Sequence, residues 1–242
     1  MKRFADLHLR VPLNDLSLTE QMITKASELG YRMVGIPLPS RVSAEQLRQL
    51  KQFCSNVKLD FVSRIDLAPR NSNELTQNLR RYRRNFEVIA VRCTTKEVAR
   101  QAAKDRRVDL LMFSVTNVRQ RFFDKSEAEL ASQALCSLEI ELSPLLQLTS
   151  GSRVRILSRL RKEAATAKRA HVPITITSGA SDPYLMRGPH DFAAMATVFG
   201  LQVDSVLDAL SGSAFCLVER NREKLSAGFV APGIRVKGRT DC

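Results

Sequence analysis

The chain has 242 residues, 44% of them hydrophobic and 26% charged, which is globular composition for one large domain or two small ones. Its 38 Lys and Arg against 25 Asp and Glu give a net charge of +13. A disordered tail, a collagen-like fibre and an acidic solvating protein are excluded. No apolar run approaches the roughly 18 residues of a membrane span, and Asp6 and His8 stand where a signal peptide needs an apolar stretch. A soluble, cytoplasmic protein is expected.

In chain order, β-rich apolar segments lie at 4–9, 33–38, 59–67, 87–91, 108–115, 138–142 and 172–177. Their starts fall 21 to 34 residues apart, the period of a strand plus a crossover helix. Capping-box patterns stand between them: Ser17-x-x-Glu20, Ser43-x-x-Gln46, Thr94-x-x-Glu97 and Ser126-x-x-Glu129. The first strand runs into Leu9-Arg10-Val11-Pro12 with no glycine, so neither a dinucleotide fingerprint nor a phosphate-binding loop is present. Beyond Gly188 the pattern is helical, with Pro189 at a helix start and helices over 204–210 and 213–225. The reading is an α/β fold, a distorted or incomplete (β/α) TIM-like barrel of seven to eight strands. A single domain over 1–226 and a flexible C-terminal tail over 227–242 are expected.

The five cysteines lie 39, 43, 80 and 26 residues apart, without a C-x-x-C pair. They read as small hydrophobes in a reducing compartment.

The positive charge is concentrated. Positions 80–125 hold 13 basic and 5 acidic residues, positions 153–169 hold 7 and 1, and the remaining 179 residues are nearly balanced. A polyanionic partner follows from that clustering. In the second stretch, Ile156, Leu157, Leu160, Ala164 and Ala167 form a core-facing stripe, and Arg155, Arg159, Lys162 and Arg169 an opposite ridge. Arginine outnumbers lysine 27 to 11, which suits bidentate phosphate contacts in structured RNA. Arg80, Arg81, Arg83 and Arg84 surround Tyr82, an aromatic residue able to stack a base. The RNA-contact candidates are these four arginines with Arg106, Arg107, Arg119, Arg121, Arg155, Arg159, Lys162, Arg169 and Arg187.

For chemistry, Asp6 and His8 share one face of the first strand by period-two alternation. Barrel metallohydrolases hold a metal with a His-x-His in such a place. This chain has three histidines in all, and Asp66 is the other acid placed at a strand end. A buried, mutually hydrogen-bonded Asp–His pair is preferred over a metal site. His171 reads as a helix C-terminal residue, and Ser178-Gly179-Ala180-Ser181 as a βα turn able to form an anion nest.

Several motifs together resemble protein component 3 of ribonuclease P, the family of the thirty-kilodalton eukaryotic subunit. They are Ala5-Asp6-Leu7-His8, Gly30-Tyr31-x-x-Val34-Gly35, Ile176-Thr177-Ser178-Gly179-Ala180, Arg187-Gly188-Pro189-x-Asp191 and the helix from Leu217 to Leu225. The length is similar to that of the archaeal members. The resemblance implies a barrel related to the histidinol-phosphatase-like (PHP-type) metallohydrolases, with Asp6 and His8 marking a degenerate metal site. It implies a subunit of the ribonucleoprotein that removes the 5′ leader of precursor tRNA. The RNA would perform the hydrolysis with its own Mg2+, and the chain would bind no cofactor. The implied partners are ribonuclease P RNA, precursor tRNA, other ribonuclease P proteins and a Pop5-type subunit, in a heterodimer or heterotetramer. The alternative is a stand-alone metal-dependent phosphoesterase using Asp6 and His8.

Overall fold

All seven apolar segments are strands: β1 (Phe4–Asp6), β2 (Tyr31–Pro37), β3 (Asp60–Leu67), β4 (Val88–Arg92), β5 (Leu110–Met112), β6 (Ser137–Glu141) and β7 (Ile174–Thr177). The computed structural model describes residues 2–231 and 234–235. The strands pair in sequence order, every pair parallel. Helices fill the crossovers: α1 (Leu16–Glu28), α2 (Ala44–Asn56), α3 (Ser72–Tyr82), α4 (Lys96–Lys104), α5 (Lys125–Ala134), α6 (Ser143–Gln147) and α7 (Ser150–Arg169). After β7 come α8 (Pro189–Ala196), α9 (Val203–Ala209) and α10 (Gly212–Leu225).

The helix starts correct three of the four expected caps. Ser43 and Gln46 do form a capping box. Asp15, not Ser17, caps α1; Thr95, not Thr94, caps α4; and Asp124, not Ser126, caps α5, in a box with Glu127. In each case the cap is the residue whose backbone is still extended at the point of helix entry. Two neighbouring oxygens look alike in sequence, and the incoming chain path selects one.

The sheet closes without an eighth strand among the described residues. At the C-terminal end, Leu9 bridges Ala180, Gly179 N–H donates to His8 O at 2.9 Å, and Arg10 N–H donates to Ala180 O at 2.9 Å. At the N-terminal end the gap between β1 and β7 is taken by the end of α9, whose Leu210 carbonyl accepts from Ala5 N–H at 2.7 Å. Gly35 lets the continuation of β1 lie close against β2, because a Cβ there would lie 2.5 Å from the Leu7 carbonyl oxygen. Gly30 turns the chain from α1 into β2 with φ +95°, a conformation that L side chains rarely adopt.

Strand alternation splits the core in two. Outward residues such as Val34, Ile65, Ile89, Leu111 and Ile140 pack beneath the helices. Inward residues Ala5, Leu7, Met33, Val62, Val88, Ala90 and Leu110 form a second cluster, closed from below by Ala214, Leu217 and Val218 of α10. Helix α10 thus stoppers the N-terminal end of the barrel. Arg222 anchors it, donating to Asp60 at 2.6 and 2.8 Å and to Glu87 at 2.5 Å, at the N-terminal edges of β3 and β4. Asn221 donates to the Glu87 carbonyl at 2.8 Å.

Part of the expected tail has structure: Phe229–Ala231 pairs antiparallel with Ile234–Arg235. Residues 232–233 and 236–242 of that stretch lie outside the described residues. Gly35→Ala should destabilise the protein by about 3 kcal/mol, the upper end of the usual overpacking range, measured by urea unfolding. Gly151→Ala, where an added Cβ meets nothing within 4 Å, should not destabilise.

Candidate functional site at the barrel mouth

The upper interior of the barrel is polar. Arg64 on β3 is fully buried and uses every donor it has. Its Nε donates to Asp66 Oδ1 at 2.7 Å, and its two terminal nitrogens donate to Glu139 Oε1 and Oε2 at 2.8 and 2.7 Å. The remaining bonds go to the Leu7 carbonyl at 2.8 Å and the Met112 sulfur at 3.1 Å. His8 lies beside this pair. Its Nδ1 is 3.1 Å from Glu139 Oε1 and 2.8 Å from Glu141 Oε1, and its Nε2 is 3.1 Å from Asp66 Oδ2. Arg10 closes the cluster from above, its Nε 2.9 Å from His8 Nε2 and its guanidinium paired with Glu141. Thr177 Oγ1 donates to Glu139 Oε1 at 2.8 Å.

These environments set the protonation states. Burial and the Arg64 charge lower the His8 pKa, but Glu139 and Asp66 outweigh them and raise it to about 10. Burial would raise the Glu139 carboxyl, yet Arg64 and His8 bring it down to about 2. Asp66 is held well below the carboxylate range against the same burial, by Arg64 and then His8. The acids favour the charged form of His8, while the Arg10 Nε–H directed at Nε2 favours the neutral ring that can accept it. Arg10, Arg64 and His8 face three carboxylates, Asp66, Glu139 and Glu141.

His8, Glu139 and Glu141 offer three ligand atoms within 4.8 Å of one another, the spacing of a metal site. The donor set does not fit a metal. Glu139 is clasped in both oxygens by Arg64, Glu141 is bound to Arg10, and His8 Nε2 faces Asp66 and the Arg10 guanidinium. A dication would enter a cluster in which two guanidiniums already hold the carboxylates.

The expected shared face of Asp6 and His8 is corrected. The strand ends at Asp6, and its register slips between Phe4 and Ala5. Asp6 does not join the ring cluster; its Oδ1 accepts the backbone N–H groups of His8 at 3.1 Å and Ser178 at 3.0 Å, fastening β1 to β7. The two residues are buried and joined, but through the backbone. The turn at Ser178–Ser181 completes the same latch, with Ser178 Oγ donating to His8 O at 3.1 Å. Gly179 has φ +60°, and a Cβ there would press on the Glu141 side chain at 3.1 Å. Above lies a cleft of about 420 Å³ lined by Arg10, Arg92, Glu141 and Ser181 among others.

Several arginines read as RNA contacts are structural. Arg121 is 3% exposed and paired with Glu163, itself buried on α7. Arg159 donates to Glu163 at 3.2 Å and to the Arg121 carbonyl at 2.7 Å, so the α7 ridge carries an interleaved acid after all. Arg83 binds Asp109 at 2.6 Å, Arg107 binds Asp105 at 2.7 Å, and Arg187 donates to the carbonyls of Tyr184 and Met186. Tyr82 packs edge-on against Phe86 in the core and is not a free stacking platform. Arg80, Arg81, Arg84, Arg106, Arg119, Arg155, Lys162 and Arg169 are exposed and form no ion pair among the described residues. Glu139, Glu141 and Arg64 were not singled out from sequence. Their signal was the alternation Glu139-Ile-Glu141 and Arg64-Ile-Asp66, charges on one face of a strand with apolar neighbours on the other.

The family model for RNase P subunit p30 matches residues 3–226. The chain belongs to that family. Ribonuclease P protein component 3 of Methanosarcina mazei is 29% identical over 240 residues, 96% of this chain and 95% of the relative. The component 3 protein of Methanothermobacter thermautotrophicus is 25% identical over 241 residues, 98% and 96% of the two chains. A chain in the structure of archaeal ribonuclease P with mature tRNA superposes with a TM-score of 0.83 at 18% identity, covering 98% of this chain and 99% of that one. Histidinol phosphate phosphatase from Lactococcus lactis, solved with zinc, L-histidinol and phosphate, superposes at 0.55 with 11% identity, covering 81% and 92%. The family's barrel is thus shared with metallohydrolases. In this member guanidinium groups bind the carboxylates of the mouth.

Arg64→Met should cost about 3–5 kcal/mol in urea unfolding, because it strands Glu139 and Asp66 in the interior. The His8 charge gives a pH test with a definite sign. A pKa raised from 6.5 to about 10 contributes stability that is full below pH 6.5 and is lost as pH rises through about 10. The stability gap between wild type and His8→Asn should narrow over that window by at most about 1.4 kcal/mol per pH unit. Glu139 acts oppositely: its contribution is full above 4.5 and lost as pH falls through about 2.

Proposed function

We propose that this chain is a non-catalytic subunit of ribonuclease P that binds the RNA of the particle and supports its catalytic domain during removal of the 5′ leader from precursor tRNA. The family match along residues 3–226 carries the reading. The mouth of the barrel supports its non-catalytic half. Asp66, Glu139 and Glu141 are each paired with a guanidinium, and Asp6 accepts from two backbone N–H groups, which leaves these acids poorly placed to activate water or hold a metal. Hydrolysis then belongs to the RNA and its Mg2+, and this chain contributes no metal of its own. The charge of +13 supports an RNA partner. The protein partners in this reading are other ribonuclease P proteins, among them a Pop5-type subunit in a heterodimer or heterotetramer, in the cytoplasm. Among the described residues no helix is long and apolar enough to cross a membrane.

The stand-alone phosphoesterase reading loses support, because Asp6 accepts from two backbone N–H groups and both His8 nitrogens are taken up by Asp66, Glu139, Glu141 and Arg10. Reconstitution tests the proposal. Precursor tRNA cleavage by the RNA and the other protein subunits should rise when this chain is added. The chain alone, with Mn2+ or Mg2+, should cleave neither precursor tRNA nor a simple phosphoester. Turnover by the isolated protein that is lost in His8→Ala would reject it.

A further inference from the structure

The end of the barrel opposite the mouth carries a cluster that neither the fold nor the metallohydrolase ancestry accounts for. Asp109 stands just before β5 and is 2% exposed. Two guanidinium groups converge on it: Arg83, from the end of α3, at 2.6 Å, and Arg220 of α10 at 3.5 Å. One carboxylate serves both. Arg83 is occupied at both terminal nitrogens, donating also to the carbonyls of Phe86, Glu87 and Arg107. Arg220 is not: its Nε is buried without a hydrogen-bond partner among the described residues. Lys224 lies one helical turn beyond Arg220, and Arg106 stands in the α4–β5 loop beside the carbonyl that Arg83 grips. Neither Arg106 nor Lys224 forms an ion pair among the described residues, and Arg80 and Arg84 flank Arg83 in the same condition.

The proximity has an electrostatic signature. Desolvation, and then the charge of Arg220, lower the Lys224 pKa, with Arg83 and Arg106 adding to the effect and Asp109 opposing it. Helix dipoles explain part of the placement, because α3, α4 and α10 all end on basic residues. They do not explain why cations from three separate elements gather around a single acid, an arrangement that weakens folding by like-charge repulsion. A polyanion placed there would remove that repulsion and pair with the exposed Arg106 and Lys224.

We propose that this N-terminal face, centred on Arg106, Arg220 and Lys224, is a binding surface for the phosphodiester backbone of RNA. The inference rests on the reading of the chain as an RNA-binding subunit and adds which face meets the RNA. RNA is favoured over an acidic protein by the reading of the chain as a subunit of a ribonucleoprotein, and three of the four converging cations are guanidiniums, which fit phosphate oxygens bidentately. The rival surface is the ridge of α7, where Arg155, Lys162 and Arg169 also stand exposed without an ion pair among the described residues, and it is the comparison in the test below. Arg159 is bound to Glu163, Arg153 to the carbonyls of Leu146 and Leu148, and Arg161 to that of Val198.

The test compares two double variants of the full chain, Arg106→Gln with Lys224→Gln on this face and Arg155→Gln with Lys162→Gln on α7. Binding to a precursor tRNA transcript and to a ribonuclease P RNA is titrated between about 50 and 200 mM salt. Each lost phosphate contact removes about 0.7–0.9 from the slope of log K against log salt. The first variant should flatten the slope by about 1.5 and raise Kd at low salt at least about tenfold, with a melting temperature no lower than wild type. An unchanged slope in that variant overturns the inference, and it does so equally if the variant instead loses a protein partner. If the α7 variant alone flattens the slope, the functional reading stands while this face is rejected. Wild type that neither binds these RNAs nor raises cleavage in the reconstituted particle overturns both.

Discussion

The structure depends on the placement of one guanidinium in the middle of a barrel. Arg64 is wholly removed from water, which would be prohibitive for an isolated charge. It is tolerated because five acceptors surround it in the geometry its planar fork requires, two of them the oxygens of Glu139. A lysine could not reproduce this, since its ammonium has three donors and no plane. The pair joins β3 to β6 across the barrel interior. Asp66 and Glu139, held ionised by Arg64, in turn favour the charged form of His8, and Glu141 holds Arg10. The upper core is one electrostatic unit whose members fix one another's charge.

That unit changes what the fold can do. The same barrel in a metallohydrolase presents carboxylates and imidazoles at its mouth so that cations can be shared among them. Here the cations are side chains, covalently part of the chain and unable to activate water. The mouth becomes a structural element, and its Asp6 and Ser178 serve as a latch between the first and last strands.

The opposite end follows a related logic with a different result. Asp60, Glu87 and Asp109 stand at the N-terminal edges of three consecutive strands, and α10 lays Arg222, Asn221 and Arg220 across them. Arg222 is matched by two acids. Arg220 shares one acid with Arg83, and the surplus of positive charge is left at the surface. A helix that seals an incomplete barrel thereby also presents cations from its exposed side, which ties closure to the basic character of the chain.

Much of this was legible in the chain. Seven apolar segments at a βα period were enough to name the barrel, because crossover lengths and strand alternation are local properties. The glycines of Gly30-Tyr31-x-x-Val34-Gly35 could be recognised as a motif, but their reasons, a left-handed turn and the approach of the Leu7 backbone, appeared only with the fold. Charge density along the sequence pointed to a polyanion, yet could not separate Arg121 and Arg159, tied to a buried Glu163, from Arg155 and Arg169 at the surface. Nor could it pair Arg64 with Glu139, 75 residues away, or Arg220 with Asp109, 111 residues away. Periodicity reports which face of an element a residue occupies, and so the sequence by itself determined the barrel, its basic stretches and its family. Which charges cancel is set by distances between strands far apart in the chain, and these exist only once the sheet has closed.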